Sequence, residues 1–295
     1  MGSGAARPRV AGREQAAERE KPRDTFVVRP FADLAGETDW VALRELVPAA
    51  TAPVRLATDL IERYGERDVT VATVLPMALS ALSRPDGRIL LGLQRNTQSG
   101  DVSRDLAAAL VAALDGKPGE PVAVPAQPGP GPRLQEVLAD EPLDITMRDG
   151  FEFWLESEGD DPEVRASLER ANASIFPTVK LASATSAYWC RFPAKAHVRW
   201  VLSDDEDPAL AALARLAAAG GLGLGEGTRF AGMFRAHGLL VPVWDLPPEP
   251  EAAEWEAPVG DFAGRYARAL TVTGELDPAQ RRARQGLLAR QLTLR

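Results

Sequence analysis

Two histidines and one cysteine, His197, His237 and Cys190, are the only imidazole and thiol groups that the chain offers for zinc ligation or nucleophilic catalysis. Zinc sites gather four Cys and His ligands, so these three fill none unaided, and no metal is expected. No Gly-x-Ser-x-Gly elbow occurs and no Cys–His signature surrounds Cys190. The glycine run AAAGGLGLGEG, at 217–227, has only the composition of a phosphate loop. It lacks the closing Gly-Lys-Ser/Thr and leaves a helix, whereas phosphate cradling needs strand, loop and helix N-terminus in that order. No cofactor is expected. Two acidic runs, Glu158–Glu163 and Asp204–Asp207, precede helical patterns. There they offset the helix macrodipole and cap free amides, and the spacing of a calcium loop is absent.

One constellation is left. Ser186–Pro193 and Ala196–Ser203 read as two strands joined by a short turn. Alternation puts Trp189 and Arg191 on one face of the first, and sets His197 and Arg199 against Val198 and Trp200 on the second. In a hairpin, Arg191, His197 and Arg199 would share a polar face. Arg229 and Arg235, of one parity on a later strand, would add to it, with His237 in the turn that follows. Such a face would bind an anion or a protein carboxylate. The plainer alternative is the solvated outer face of a half-buried sheet. Cys190 shares its face with Tyr188 and Phe192, which suits a small buried hydrophobe.

The elements that must position these residues follow a pattern that occurs twice: helix, proline turn, strand, strand, helix. In the first half it runs through Trp40–Val47, Pro53, Val69–Pro76, Arg88–Gln94 and Asp101–Leu114. In the second it runs through Val164–Ala173, Pro177, Ser186–Pro193, Ala196–Ser203 and Asp207–Ala219. The expected fold is α+β, with two related lobes, an internal duplication, mixed or antiparallel sheets and C-terminal helices. The expected divisions are a tail at 1–24, a lobe at 25–126, a linker at 127–133 built on QPGPGP, a second lobe at 134–246, and a Pro/Glu loop with helices at 247–295.

Local signals refine this. Thr25–Arg29 reads as a short strand. Thr38 or Asp39 is expected to cap the first helix. Thr58–Tyr64 is a helix closed at Gly65. Thr228–Arg235 and Leu239–Leu246 form a hairpin across His237-Gly238. Asp144–Leu155 alternates around Asp149-Gly150 as a hairpin does, although Asp149 would also suit a helix starting at Phe151. Asp277 or Pro278 opens a last helix carrying Arg281, Arg282, Arg284 and Arg290.

With 295 residues, 45% of them hydrophobic, the chain can bury a real core. A net charge of −8 argues against general affinity for nucleic acid. One cysteine allows no internal disulfide, as suits a reducing cytosol. No signal-peptide core and no membrane span is visible, so a cytoplasmic protein without a membrane partner is expected. Lysine occurs only at 21, 117, 180 and 195, among abundant Arg, Ala, Gly and Pro, which suits a GC-rich coding source.

Four segments, RPFADLAGETDWVALRELVPAATAPV, YWCRFPAKAHVRWVLSDDED, GEGTRFAGMFRAHGLLVPVWDLP and RRARQGLLARQLTLR, resemble an uncharacterised family of actinobacterial cytosolic proteins. The resemblance spans nearly all of the chain after the tail and implies no catalytic or ligand residue. The leading expectation is a non-enzymatic binding or interaction protein that meets an anionic ligand or a protein partner. One alternative is a metal-independent enzyme on an anionic small molecule, with His197 or His237 as general base. Another is nucleic-acid association through the tail and the last helix.

Overall fold

The computed structural model describes residues 26–95, 99–124, 129–155 and 162–290. The expected tail, the first residues of the QPGPGP linker and the acidic stretch 158–161 lie outside these. The fold is α+β. Among the described residues, no helix is long and apolar enough to cross a membrane.

In chain order the first half contains α1 (Glu37–Glu45), β1 (Ala50–Val54), α2 (Thr58–Tyr64), β2 (Val69–Val74), β3 (Ala81–Ser83), β4 (Ile89–Gln94), α3 (Val102–Asp115), α4 (Leu134–Val137) and β5 (Thr146–Met147). Its strands make a sheet of order β3-β4-β2-β1-β5, with β2 and β4 parallel and the other pairs antiparallel. The second half contains α5 (Pro162–Asn172), β6 (Thr178–Leu181), β7 (Ala187–Phe192), β8 (Lys195–Trp200), α6 (Glu206–Ala218), β9 (Arg229–Ala236), β10 (Leu239–Leu246), α7 (Glu256–Leu270) and α8 (Pro278–Leu288). Its sheet, of order β6-β7-β8-β10-β9, is antiparallel throughout. The expected internal duplication is not confirmed: α2, between β1 and β2, and β3, between β2 and β4, have no counterparts between β6, β7 and β8, and β2 meets β4 in parallel where β7 turns back on β8.

Several local expectations differ from the structure. Residues 26–29 form no strand; Val27 makes one backbone bond, to Gly100. β1 contains Pro53, whose missing N–H argues against a strand. The proline is tolerated because β5 pairs only with Ala50 and Thr51, so Pro53 needs no donor on that side. The Asp149-Gly150 hairpin does not form. Thr146 and Met147 add to β1 instead, and Phe151 and Trp154 stack in a short turn, their centroids 4.3 Å apart. Trp154 donates its indole N–H to Val74 O, which fixes the turn on the first sheet.

α1 is capped differently too. Gly36 precedes it with φ of 69°, a left-handed conformation that costs glycine little. This frees Thr38 and Asp39 from capping, and both turn onto the second sheet. Asp39 receives Lys180 Nζ at 3.0 Å on each oxygen, and Ser186 Oγ at 2.6 Å. Ser186 Oγ also lies 2.8 Å from Thr38 Oγ1. Ser186 is fully buried with φ of 55°, a strained position for a residue with a Cβ. Tyr188, beside them, keeps its proton: burial raises the phenol pKa, and the Asp39 charge raises it further. At the other end of α1, Glu45 lies 2.8 Å from His237 Nε2.

The second sheet is therefore packed on both faces, on one of them only in part. One face carries Trp189, Val198, Leu240 and Trp244 and packs on α6, α7 and α8. On the other, Val201, Phe234, Leu239 and Val241 join the first half in a single core with Trp40 and Leu43. Four consecutive acidic residues at the start of α6 hold different parts of the chain. Asp204 accepts from Tyr266, Asp205 from Arg29, Glu206 from Arg235 and Asp207 from Arg284.

Because Asp39 is mostly buried, its loss should cost more than a surface ion pair does. Asp39→Ala strands Lys180 and Ser186 and is expected to lower stability by about 2–3 kcal/mol in urea unfolding. A loss below ~0.5 kcal/mol would make the contact an ordinary surface pair.

Candidate functional site

The register of the second sheet decides which polar residues meet. Phe192 pairs with Lys195 across a two-residue turn, so odd positions of β7 face even positions of β8. Thr178, Cys190, His197, Asp245 and Arg229 fall on one straight row across all five strands. The next row toward α1 is Lys180, Tyr188, Arg199 and Val243. The face thus grades from an apolar zone under the first half, through a mixed row, to a polar outer row.

Asp245 is the negative centre of that outer row. Its side chain is 15% exposed and gathers Lys195 at 3.4 Å, His197 Nδ1 at 3.1 Å, and Arg229. Burial pushes the carboxyl pKa up, but Arg229, Lys195 and His197 outweigh it and hold the group below the ordinary aspartate range. His197 moves the other way. Burial lowers its pKa, the Arg199 charge lowers it further, and Asp245 only partly compensates, so the imidazole is neutral at pH 7. Cys190, across the strand from His197, is buried, and that burial raises the thiol pKa. It stays protonated and packs as a small hydrophobe, which makes it a poor nucleophile.

Arg199 stands apart from its neighbours. It is half-buried, and its guanidinium lies 5.4 Å from the Phe192 ring centroid. Phe192 in turn packs on Phe176 and edge-on to His197. Among the described residues no carboxylate or carbonyl engages this guanidinium, whereas Arg29, Arg191, Arg229, Arg235 and Arg284 each hold an acidic partner. An arginine on an aromatic ring, with its fork of donors unspent, is suited to a carboxylate or phosphate from outside.

The six residues singled out in the sequence fall in three places. His197, Arg199 and Arg229 share the outer face. Arg191 does not join them: the two-residue turn pairs it with Ala196 and sends it to the helical face, where it bonds Glu251 and lies over Trp189. Arg235 is also on that face. A bulge in β9, opposite the Val243–Trp244 step, reverses the alternation between Arg235 and Arg229. Arg235 therefore meets Glu206, at 2.7 Å from Nε. His237 occupies the turn with φ of 47° and pairs with Glu45 on α1. Asp245, Lys195 and Phe192 were missed. The short Phe192–Lys195 turn would have revealed the last two, but Asp245 meets Arg229 only because of the bulge. Among the described residues, no three His, Cys, Asp or Glu side chains are grouped to hold a metal ion.

The His197 geometry fixes a pH dependence. Its pKa is lower folded than unfolded, so the unfolded chain takes the proton first, and stability falls as pH drops through about 6.5. His197→Gln should flatten that part of the stability profile. In NMR titrations, His197 should titrate below the ordinary histidine range, and Arg199→Ala should move it upward. An unchanged His197 pKa in that variant would separate the two side chains.

No characterised protein and no solved structure matches the chain. A family model does match, over residues 30–295, which takes in both sheets, the joint between them and all the helices described above. The chain belongs to the family of unknown function DUF5926.

Proposed function

We propose that this protein is a non-enzymatic binding protein whose His197–Arg199–Arg229 face takes up an anionic ligand, either a small phosphorylated or carboxylated molecule or a carboxylate of a protein partner. One observation carries the reading. Arg199 is half-buried and stacked on Phe192, yet spends none of its donors within the described protein. In the adjoining row the single carboxylate of Asp245 is already shared by Lys195, His197 and Arg229, which leaves no acceptor there for Arg199. A cytosolic, actinobacterial setting accompanies this proposal, supported by the resemblance of the four segments and the single cysteine.

The test is a thermal-shift and calorimetric titration of the intact protein at low salt with inorganic phosphate, phosphorylated metabolites and di- and tricarboxylates. A ligand at a hundred times its dissociation constant adds about 2.7 kcal/mol of stability, which is several degrees of melting temperature for a chain of this size. Arg199→Ala should abolish the shift. Arg191→Ala, on the opposite face, should keep it. A flat screen, or equal loss in both variants, would overturn the proposal.

A further inference from the structure

A cavity of about 470 Å³ opens where the loop before β7, the segment after β8 and helix α7 come together. Trp200 lines it, and as the residue next to Arg199 it projects to the opposite side of β8. Tyr266 of α7 lines it too, and the two rings meet edge-on at 5.5 Å. Both rings have their polar tips tied down. Trp200 donates its indole N–H to Thr185 O at 2.8 Å, and Tyr266 donates its hydroxyl to Asp204 Oδ2 at 2.9 Å. Burial and the Asp204 charge raise the phenol pKa, so the tyrosine remains a donor. What the rings offer the cavity is therefore aromatic surface.

The charge of the lining is one-sided. Asp204 is its one carboxylate, and no Lys, Arg or His joins it. Tyr266 occupies Oδ2, while Oδ1 has no partner within the described protein. Ser183, also on the wall, is held by Glu256, which accepts its backbone N–H at 2.8 Å. Alanines and Leu270 complete an apolar floor. An anion would meet Asp204 with nothing to offset it, and a neutral ligand would leave the carboxylate unused. Aromatic rings beside a carboxylate, over an apolar floor, suit a cation with a hydrocarbon body.

We infer that this cavity binds a small organic cation, an alkylammonium. Its charge sits against Asp204 and the Trp200 and Tyr266 rings, and its alkyl part against the α7 wall. The site is separate from the anion-binding face, lies across the sheet from it and does not depend on it.

The experiment is calorimetry of the full chain with n-butylammonium and tetramethylammonium chlorides against sodium chloride at equal ionic strength. In parallel, the Trp200 indole N–H is followed by NMR, assigned with Trp200→Phe. Saturable binding of either cation, with a shift of the Trp200 resonance, is expected. Asp204→Asn keeps an acceptor for Tyr266 but removes the charge, and should weaken binding about tenfold or more. Preference for butylammonium would assign the main contact to N–H donation; preference for tetramethylammonium would assign it to the rings. Three results would each overturn the inference: no saturable response up to ~50 mM, equal binding of the uncharged 3,3-dimethylbutanol, or unchanged affinity in a folded Asp204→Asn variant.

Discussion

A carboxylate withdrawn from water needs a cation and hydrogen-bond donors, and Asp39 finds both in the other half of the chain. Lys180 and Ser186 reach it from β6 and from the residue before β7, and Ser186 accepts a strained backbone to do so. This contact fixes the angle and depth at which α1 lies on the second sheet. With α1 in place, Trp40 and Leu43 share a core with Val201, Phe234 and Val241. The covered zone of the sheet ends where that core ends. The outer rows with Arg199, His197 and Asp245 are what it leaves uncovered.

The same sheet thus separates two electrostatic environments. On one side donors exceed acceptors, and Arg199 is the surplus. On the other, behind Trp200, a lone carboxylate faces aromatic rings. Strand alternation gives this separation at no cost, since adjacent residues of β8 point to opposite sides. Arg199 and Trp200, neighbours in sequence, serve opposite polarities.

Much of the fold was legible because local signals and tertiary context agreed. Asp101 caps α3 by accepting from the Ser103 and Arg104 amides, at the start of the expected Asp101–Leu114 helix. Asp277 and Gln280 form a reciprocal capping box at α8. His237 and Gly238, both with positive φ, close the β9–β10 hairpin at the expected place. Two of the misreadings share one cause. Thr38 and Asp39 look like caps, and Asp149-Gly150 like a turn, until another part of the chain competes for the same groups. The candidate face was half legible. Alternation found His197 and Arg199, but a two-residue turn and one bulge decided that Arg191 and Arg235 lie elsewhere. The turn could be read from the closeness of the two strands, but the bulge leaves no residue-type signature strong enough to fix the register of the partner strand.

The contacts that join the two halves also say something about how the chain reaches this state. Arg29 meets Asp205 across 176 residues, Glu45 meets His237 across 192, and Asp39 meets Lys180 across 141. Closing loops of that length costs entropy before any bond repays it, whereas the β7–β8 and β9–β10 hairpins close over two residues. The hairpins are thus early events and the joint a late one. Until α1 docks, Phe234, Leu239 and Val241 face water on an open sheet, so the stretch 234–241 is where a slowly folding chain would be drawn into contact with another copy of itself.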